Sequence, residues 1–585
     1  MEVLLSALNA SFVHSSLALR YLRSYCEDEF KIEISEYTIN QHSDDIAAEI
    51  YKANPDVLGF SCYIWNIDKT LDIIKILKKV KPELTIILGG PEVSYNPVKL
   101  MEAYAEIDYI IYGEGEYSFK ELLTSLRYKK SFNNVKGLVY RQEDKIIKNE
   151  PQPVIDDLDI IPSPYNQIGG LENKIAYFEA SRGCPFNCQY CLSSTLSSVR
   201  NLSLKRVKTE LLRLINAKVK QVKFVDRTFN CNSKRTWEIF KFLLDNKPDD
   251  HEINFHFEIA ADLLSDEMIE WLKQVPTGYF QFEIGVQSTK PATLDIIQRQ
   301  MDFNRIKKVV NELLEAENIH LHLDLIAGLP REDYERFKES FNDVYQLRPH
   351  KLQLGFLKLL QGSGLRKNAE EYGYLFTEQP PYEVLANNDI SYDQILNLKM
   401  VEEVLETFGN AHYFDHSLEF IYQNFYDSYF ELYYDLASFW EEGEYYRYSH
   451  KLIFLYQVLQ KFYQQHCQAK QKLFNEVLKF DYLLGRRRVN NLPDFLTRYR
   501  IENYKTRFRD FTNNPKEIKK YFVELNQLSS RQLRKEIQIE TFAYDIIEAI
   551  KEPTKELKKG QTNILFNYHN KEGLFNKAQF KKVEI

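Results

Sequence analysis

Three cysteines within eight residues are the densest group of metal-binding side chains in the sequence. Cys184, Cys188 and Cys191 fall in the stretch RGCPFNCQYC, separated by three and then two residues. A structural zinc site takes four ligands, commonly as two pairs, and a 4Fe-4S cluster usually takes four thiolates. Three thiols on one loop therefore predict first an iron-sulfur cluster with one iron open to another ligand. The second interpretation is zinc with a remote fourth ligand such as Cys231, and the third is unrelated thiols.

The bulk composition predicts a folded protein of a reducing compartment. The chain has 585 residues, of which 44% are hydrophobic, and its other four cysteines are scattered singly, which favours thiols over disulfides. The N-terminus lacks the basic segment of a signal peptide, and no apolar run reaches the roughly 18 residues of a membrane span. We therefore expect a cytoplasmic protein with no membrane partner. The net charge of -8 argues against nucleic acid as a partner.

The first part of the chain alternates β-branched runs with amphipathic helical stretches, as in a doubly wound parallel sheet. We expect this domain over residues 1–130. In such sheets the ligand lies beyond the carboxyl ends of the strands. There the sequence has Ser61, then Gly89-Gly90-Pro91, then Glu114 within GEGE. These five residues are candidate ligand contacts.

Two further regions follow an expected hairpin and proline-rich linker over residues 131–170. A second series of βα repeats, six in number, begins at IAYFEAS and predicts a partial (β/α)6 barrel over residues 171–372. The cysteine loop comes directly after its first strand. Residues 373–585 are rich in Tyr and Phe at helical spacing and predict a mostly helical domain of unknown function. Its basic run, Arg486 to Arg488, is interpreted as a solvated surface.

Strand side chains alternate between two faces, and in the barrel one face is polar. The stretches FHFEI and FQFEIGVQ place Glu258, Glu283 and Gln287 opposite a face of Phe, Ile and Val. If the apolar face packs on the surrounding helices, the polar face lines the lumen. Buried carboxylates are costly without partners, so this lining favours a bound polar ligand.

The cysteine loop resembles the signature of the radical SAM enzymes. The resemblance joins the CxxxCxxC spacing, the aromatic Tyr190 before the last cysteine, and the position after the first strand of a six-fold barrel. It implies that Cys184, Cys188 and Cys191 bind three irons of a 4Fe-4S cluster. The amino and carboxylate groups of S-adenosylmethionine (SAM) would then chelate the fourth iron, and one-electron reduction would give a 5'-deoxyadenosyl radical.

The same resemblance implies further contacts to SAM. FHFEIAADLL and FEIGVQS are similar to the third- and fourth-strand motifs of the superfamily, which assigns Glu258, Glu283, Gln287 and Ser288 to its ribose or methionine portion. Asp226, in FVDRTFN, stands near where many members carry a Gly-Gly-Glu segment for the methionine amine. This chain lacks that segment, which leaves the group that binds the amine open.

The N-terminal domain is similar to that of the cobalamin-binding subclass, through DVLGFSCYIWN, TIILGGPEVS and DYIIYGEGEYSF. The resemblance implies that the turns carrying the five candidate residues bind cobalamin. The cobalt-ligating Asp-x-His-x-x-Gly loop of the classical fold is not preserved, because Phe12 and Leu17 replace its Asp and Gly. We therefore interpret His14 as a residue at the start of a helix rather than as a ligand. Trp65 and Tyr63 either cover a corrin face or pack in the core.

Together these features predict a cobalamin-dependent radical SAM enzyme that methylates an unactivated carbon of an unidentified substrate. Its partners would be that substrate, most simply a small molecule, and a reductant such as flavodoxin or ferredoxin. One alternative in the same class is a cobalamin-assisted radical rearrangement or cyclisation without methylation. From another class, the chain could be a non-catalytic iron-sulfur or corrinoid sensor.

Overall fold

The structure is a computed structural model that describes residues 1–171, 173–195, 198–485, 488–489, 491–499 and 501–584. Arg486 and Arg487 of the basic run lie outside the described residues. The chain divides into two compact units. The first contains Met1–Glu312, Gly328–Glu332 and Phe356–Ser391, and the second contains Leu313–Ala327, Asp333–Gly355 and Tyr392–Ile585.

The first unit begins with a seven-stranded sheet in the order β2-β1-β3-β4-β5-β6-β7. Its strands are β1 (Val3–Asn9), β2 (Ile32–Thr38), β3 (Val57–Ser61), β4 (Thr85–Gly89), β5 (Tyr109–Ile111), β6 (Leu138–Gln142) and β7 (Lys145–Lys148). Its helices are α1 (Leu17–Cys26), α2 (Ser43–Ala53), α3 (Ile67–Val80), α4 (Pro91–Ser94), α5 (Pro97–Ala103) and α6 (Glu116–Tyr128). The first five strands are parallel, whereas the β6-β7 hairpin pairs antiparallel with β5 and extends this sheet beyond residue 130.

Alternating side chains bury both faces of this sheet. On β3, Val57 packs into one hydrophobic cluster and its neighbour Leu58 into the other. Helices therefore cover both faces, as expected for a doubly wound fold. The order in which the chain adds strands to the sheet reverses at β1: β2 lies on one side of it, and β3 and the later strands lie on the other. At such a switch point the carboxyl ends of the strands open a crevice for a ligand.

The barrel strands of the first unit are parallel neighbours in the order β8, β11, β12, β13. They are β8 (Ile175–Phe178), β11 (Gln221–Phe224), β12 (Asn254–Ile259) and β13 (Phe280–Gln287), with a short antiparallel pair, β9 (Ser181–Arg182) and β10 (Arg200–Asn201), after β8. The helices between and after these strands are α7 (Leu204–Asn216), α8 (Ser233–Asp245), α9 (Asp266–Leu272), α10 (Pro291–Ile296) and α11 (Phe303–Glu315). The βα alternation continues along the chain with β14 (His320–Ala327), α12 (Tyr334–Tyr345) and β15 (Lys351–Phe356) in the second unit. All six predicted barrel strands are present, which confirms the expected α/β architecture.

An aromatic layer fixes which face of the barrel strands is polar. Phe257 of β12 stacks on Phe224 of β11 at 4.5 Å between ring centroids and lies edge-on to Phe240 of α8 at 5.1 Å. Phe282 of β13 packs on the same Phe240. The apolar residues therefore face the helices, and the residues between them point to the opposite side of the sheet.

After β15 the chain returns to the first unit and then enters the C-terminal region. The returning segment contains α13 (Gly364–Lys367), β16 (Leu375–Phe376) and β17 (Val384–Ala386). The second unit then has α14 (Tyr392–Val404), α15 (Asp415–Phe425), α16 (Tyr429–Glu442), α17 (Leu452–Phe462), α18 (Gln471–Leu483), α19 (Tyr504–Thr512), α20 (Pro515–Tyr521), α21 (Ser530–Glu536), β18 (Ile537–Phe542), α22 (Ile546–Lys551), β19 (Thr562–Glu572) and β20 (Lys577–Val583). The C-terminal domain also contains an antiparallel sheet, in which β19 and β20 form a hairpin and β18 adds a third strand. Among the described residues, none of the helices has the length and apolar character that crossing a bilayer requires.

Candidate active site

The three clustered cysteines follow the carboxyl end of β8 on a loop that supplies hydrogen-bond donors to sulfur. Cys188 is buried, and the backbone N–H of Cys191 donates to its carbonyl oxygen at 3.1 Å. The N–H of Ser193 lies 3.4 Å from Cys191 Sγ, and Cys184 Sγ lies 3.6 Å from Thr228 Oγ1. In the described part of the chain, no three His, Cys, Asp or Glu side chains converge as a metal site that is already formed. The loop thus presents three thiols in sequence, not a closed cage.

Asp226 holds the strand end from which the cysteine loop departs. Its Oδ2 accepts the N–H of Ala180 at 2.9 Å and its Oδ1 accepts the hydroxyl of Ser181 at 2.6 Å. Burial raises the pKa of this carboxyl to about 7, although the two hydrogen bonds oppose the shift. Both oxygens are engaged within the protein, so the structure favours a positioning role for Asp226.

Arg299, just after α10, places a cation beside the cysteine loop. Its Nη1 lies 3.8 Å from Cys188 Sγ, and its Nη2 donates to the carbonyl of Gly285 at 2.5 Å. Burial alone would lower the pKa of the guanidinium, but Tyr190 and Cys188 raise it. Burial raises the pKa of the Tyr190 hydroxyl in turn. A guanidinium in this position is suited to bind a carboxylate close to the thiols.

Charged side chains line the polar face of the barrel strands. Glu283 of β13 pairs with Lys223 of β11 at 3.1 Å and with His256 of β12 at 3.0 Å. At the carboxyl end of the same face, Glu258 lies 3.9 Å from the largely exposed Arg227. The two candidate carboxylates are cross-strand neighbours in register. Each one therefore has a cationic or imidazole partner on an adjacent strand or loop.

Gln287 and Ser288, at the end of β13, differ sharply in their surroundings. Gln287 has a φ of 72°, which is uncommon for a residue with a side chain, and its buried Oε1 has no hydrogen-bond partner among the described residues. Ser288 is fully buried, and its hydroxyl donates to Glu332 at 2.7 Å and accepts the N–H of Lys290. A buried amide oxygen without a partner can accept a hydrogen bond from a ligand. The hydroxyl of Ser288, in contrast, already both donates and accepts a hydrogen bond within the protein.

The ligand edge of the N-terminal sheet combines an unsatisfied hydroxyl with a close backbone approach. Ser61 Oγ is buried and has no hydrogen-bond partner among the described residues. The N–H of Cys62 donates to the carbonyl of Gly89 at 2.7 Å. Gly90 has a φ of 110°, and a Cβ there would lie 2.6 Å from the carbonyl oxygen of Cys62, so only glycine fits. Pro91 begins α4 directly after it.

A stacked aromatic pair stands next to Ser61. The rings of Tyr63 and Trp65 lie 4.4 Å apart and nearly parallel, at 9°. Trp65 is half exposed, so it is not a core residue of the domain. The pair offers a flat apolar surface beside the carboxyl end of β3.

Glu114 faces the cysteine loop rather than the Gly89-Gly90 turn. It pairs with Arg200 at 2.5 Å and with Arg182 at 3.5 Å, and it accepts the N–H of Ile155. Burial would raise the pKa of Glu114, but the hydrogen bonds from Arg200 and Ile155, together with the charges of Arg182 and Arg200, outweigh burial and lower it. Arg182 also pairs with Glu116 and Glu179, each at 2.9 Å. This network ties the fifth-strand turn of the N-terminal domain to the start of the cysteine loop.

His14 is bound to the barrel. Its Nδ1 lies 2.7 Å from the hydroxyl of Tyr177 on β8, and the N–H of Ile175 donates to the carbonyl of Val13. Burial lowers the pKa of His14, and the nearby Lys223 lowers it further. Helix α1 begins three residues later, with Ser16 as its N-cap. The contact explains the position of His14 without a metal.

The predicted site residues of the first unit do not form one cluster. Tyr190 lies with the three cysteines on their loop, where the additional residue Arg299 contacts Cys188. Ser61, Gly89, Gly90 and Pro91 lie together at the sheet edge. The other predicted residues are distributed over the barrel strand ends and the fifth-strand turn: Asp226, Glu258, Glu283, Gln287, Ser288 and Glu114. Arg299 and Lys223 are functional candidates that sequence reasoning missed. Arg299 carries no spacing signal, because only the turn after α10 brings it to the loop. Lys223 could have been predicted, because it alternates with Val222 and Phe224 in QVKFVD and therefore lies on the polar face of its strand.

Family comparisons match three consecutive segments of the chain. A B12 binding domain matches residues 4–123, the radical SAM superfamily matches residues 178–344, and a family described as a protein of unknown function (DUF4080) matches residues 370–566. The first two correspond to the doubly wound domain and the barrel. The third falls mainly on the C-terminal helices.

Curated relatives extend over the first two segments. An uncharacterized methyltransferase PH0819 of Pyrococcus horikoshii is 28% identical over 345 residues, which is 57% of this chain and 73% of that protein. The cobalamin-dependent radical SAM methyltransferase TokK of Streptomyces tokunonensis is 27% identical over 342 residues, 54% of this chain and 49% of that protein.

Solved structures show the same fold. The cobalamin-dependent SAM radical enzyme OxsB, with aqua-cobalamin and SAM bound, covers 82% of this chain and 79% of its own at a TM-score of 0.58 and 18% identity. The radical SAM methyltransferase TsrM of Kitasatospora setae, with cobalamin and a 4Fe-4S cluster bound, covers 64% of this chain and 76% of its own at a TM-score of 0.54 and 17% identity.

The two domain matches confirm the expected cofactors: a 4Fe-4S cluster, SAM and cobalamin. The residues present fit these groups. The donor set of the loop is three thiols with N–H groups and a guanidinium beside them, which suits a cluster and an anionic chelator. The sheet edge has an unsatisfied hydroxyl, a backbone that only glycine allows and an exposed aromatic surface, which suit a large flat cofactor.

Proposed function

The chain joins a B12-binding domain to a radical SAM domain and so belongs to the cobalamin-binding subclass of the radical SAM superfamily; from this premise we propose that it methylates an unactivated carbon. The observation that carries the proposal is the placement of the three-thiol loop and the Gly89-Gly90 edge in one compact unit, where ion pairs join the start of the loop to the fifth-strand turn of the same sheet. When bound, the cluster supplies an electron for cleavage of SAM, and cobalamin supplies a transferable methyl group.

At the cysteine loop, the protein would hold the cluster and orient SAM. The thiols of Cys184, Cys188 and Cys191 would bind the irons. Arg299 would pair with the carboxylate of SAM, because a guanidinium binds a carboxylate through two parallel hydrogen bonds. Gln287 Oε1 would accept a hydrogen bond from a ribose hydroxyl, which would satisfy an oxygen that has no partner among the described residues.

On the strands, Glu283 and Glu258 would bind polar groups of SAM or substrate. Lys223 and His256 hold the Glu283 carboxylate in one orientation. At the sheet edge, Ser61 would donate to the corrinoid, and Trp65 with Tyr63 would cover apolar surface. The adjacent Gly90 turn packs directly on the backbone of Cys62, because a Cβ there would lie 2.6 Å from its carbonyl oxygen, and so fixes the edge beside Ser61.

The proposal is tested by reconstituting the protein with iron and sulfide under anaerobic conditions, loading it with hydroxocobalamin and reducing it with dithionite. We expect an iron-sulfur spectrum, a corrinoid spectrum and conversion of SAM to 5'-deoxyadenosine. A triple Cys184→Ala, Cys188→Ala, Cys191→Ala variant should lose the iron. A double Cys26→Ala, Cys467→Ala variant is the control, because neither thiol belongs to this loop, and it should keep the iron.

The products distinguish the proposed reaction from its alternatives. Methyl transfer should yield S-adenosylhomocysteine together with 5'-deoxyadenosine once a substrate is supplied, with flavodoxin or ferredoxin able to replace dithionite. 5'-Deoxyadenosine without S-adenosylhomocysteine would indicate a rearrangement or cyclisation. If protein with an intact cluster forms neither product, the enzyme hypothesis is refuted and the non-catalytic sensor is the remaining interpretation.

A further inference from the structure

A short segment after the last barrel strand contacts both the cysteine loop and the Gly89-Gly90 edge. We call residues 359–366, together with Tyr382, the bridging segment. Tyr382 belongs to it because its carbonyl accepts the N–H of Leu359 at 2.9 Å. The guanidinium of Arg366 lies 4.5 Å from the centre of the Tyr382 ring. All of these residues lie in the first unit.

On one side, the bridging segment binds the two helices that follow Gly90. Asn96, the N-cap of α5, donates from Nδ2 to Gln361 Oε1, and Gln361 Nε2 donates to the Tyr382 hydroxyl at 2.7 Å. Tyr382 then donates to Glu92 of α4. Burial raises the pKa of Glu92, although the hydrogen bond from Tyr382 opposes the shift. The chain of hydrogen bonds begins and ends on the N-terminal domain, so it fixes the segment at two points.

On the other side, the bridging segment packs on Gln189, which lies between Cys188 and Tyr190. The N–H of Leu365 donates to the Gln189 carbonyl at 2.9 Å. A Cβ on Gly364 would lie 1.9 Å from Gln189 Oε1. The cysteine loop is therefore in van der Waals contact with the segment along its backbone and side chain.

Gly362 is where the two sides meet. It has a φ of 90°, and a Cβ there would lie 2.1 Å from the Tyr95 ring. Tyr95 stands between α4 and α5, and its hydroxyl lies 3.2 Å from Thr195 Oγ1, just beyond the last cysteine. The ring thus rests on the bridging segment while its hydroxyl reaches the end of the cysteine loop.

We propose that the bridging segment is a positioning element that sets the separation between the cysteine loop and the corrin-binding edge. This inference rests on the proposed function, in which one substrate must reach both cofactors. A displacement of about 1 Å between reacting groups can lower a rate a hundredfold, so this separation has to be held by packed contacts. The segment contributes no ligand of its own; it acts through Gln189 on one side and through Glu92, Tyr95 and Asn96 on the other.

The test measures the separation directly. In protein reconstituted with the cluster, loaded with hydroxocobalamin and reduced, the reduced cluster and cob(II)alamin are both paramagnetic. Pulsed electron paramagnetic resonance should give one narrow distance distribution for the unsubstituted protein. Gly362→Ala should broaden it and shift it to longer distances, because the added methyl displaces the Tyr95 ring. Gly278→Ala is the matched control: Gly278 also has a positive φ, 75°, but a Cβ there would meet nothing within 4 Å.

A milder variant guards against misfolding. Tyr382→Phe removes only the hydroxyl that joins Gln361 to Glu92, and we expect a smaller broadening with iron and corrinoid contents unchanged. If fully loaded Gly362→Ala and Tyr382→Phe proteins both keep the original distance distribution, the inference is overturned and the proposed function stands. If the unsubstituted protein binds no corrinoid, the proposed function fails, and the inference with it.

Discussion

At the scale of single residues, the cysteine loop is surrounded by charged side chains whose main effect on it is electrostatic rather than steric. Arg299 lies against Cys188, while Asp226 anchors the preceding strand through the backbone of Ala180 and the hydroxyl of Ser181. Neither residue belongs to the thiol motif. Each has a distinct consequence that can be measured.

Replacing Arg299 by Met should weaken SAM binding without loss of the cluster. A hydrogen bond to a charged group contributes about 1.5–3 kcal/mol, so the dissociation constant should rise by roughly one to two orders of magnitude. Arg299→Lys should retain part of the affinity, because it keeps the charge but not the planar fork. The measurement is a SAM titration of reconstituted protein at known iron content.

The control for that titration is Arg305→Met. Arg305 pairs with Asp266 on helix α9 at 2.7 Å and donates to the carbonyl of Leu264, and neither partner belongs to the cysteine loop. Its removal should leave SAM affinity unchanged. Equal affinities for the Arg299→Met and unsubstituted proteins would remove Arg299 from the binding site.

Asp226 should make stability fall as the pH rises toward neutrality. Its pKa is raised to about 7 in the folded protein, above an ordinary value of about 3.9, so the folded state holds the proton more tightly than the unfolded state does. The stabilisation of the folded state that comes from protonated Asp226 is therefore complete below pH 4 and is lost as the pH rises through 7. The free energy of unfolding should fall by about 1.4 kcal/mol per pH unit between 5 and 7. Asp226→Asn cannot titrate and should show a flatter profile.

Melting temperatures of the two proteins between pH 5 and 8 provide the measurement. Contributions from all other groups cancel in the difference between the variant and the unsubstituted protein. The unsubstituted protein should lose more stability than Asp226→Asn over this interval. Parallel profiles would show that Asp226 does not carry a raised pKa.

At the scale of elements, the sequence predicts strands and helices from local periodicity, but it does not predict contacts between residues that are far apart in the chain. The period-two runs of β12 and β13 identify both strands and the face that carries Glu258 and Glu283, because alternation is a local property. The partners of Glu114 could not be predicted, because Arg200 lies 86 residues away and is brought there by tertiary packing. The same holds for Gln361 and Asn96, which are 265 residues apart.

The C-terminal helices illustrate the same limit. Aromatic spacing predicts helices, but it does not indicate that Lys479 and Glu476 of α18 are fully buried and paired at 3.1 Å. The ammonium of Lys479 also donates to the carbonyls of Thr497 and Thr541, and the Ala543 N–H donates to Glu476. Burial lowers the pKa of Lys479 and raises that of Glu476. The pair depends on three segments that are far apart in the sequence: α18, the region of Thr497, and residues 541–543.

Removing one partner of this pair should be strongly destabilising. Lys479→Met leaves the Glu476 carboxylate buried without its cation, a change that costs roughly 3–5 kcal/mol. The double variant Lys479→Met, Glu476→Leu removes both charges and should recover much of the loss. Thermal melting of the three proteins gives the comparison.

A surface pair in the same unit provides the control. Lys520→Met breaks the exposed pair with Glu517 and should leave the melting temperature nearly unchanged, because exposed pairs contribute little. A Lys479→Met protein that melts with the unsubstituted protein would contradict the buried-pair assignment. A double variant less stable than the single would show that the hydrogen bonds matter more than the charges.

At the scale of the whole molecule, both candidate cofactor sites lie in the first unit and the DUF4080 match lies mainly in the second. Ligand binding stabilises the state that binds it by mass action, about 2.7 kcal/mol at a hundredfold excess over the dissociation constant. Local opening is suppressed most where the ligand makes contact. The two units should therefore respond differently to corrinoid.

Hydrogen exchange with and without hydroxocobalamin tests this difference. Backbone amides at the carboxyl ends of β3 and β4 should become more protected, because Ser61 and Gly90 form the edge to which we propose that the corrinoid binds. Amides of α17 should exchange at the same rate in both samples, since that helix belongs to the C-terminal region of the second unit. Protection spread evenly over both units would mean that the corrinoid acts on global stability, and protection centred on α17 would place its site outside the N-terminal domain. The expected pattern, confined to the β3 and β4 turns, would locate the cofactor on the edge that faces the bridging segment.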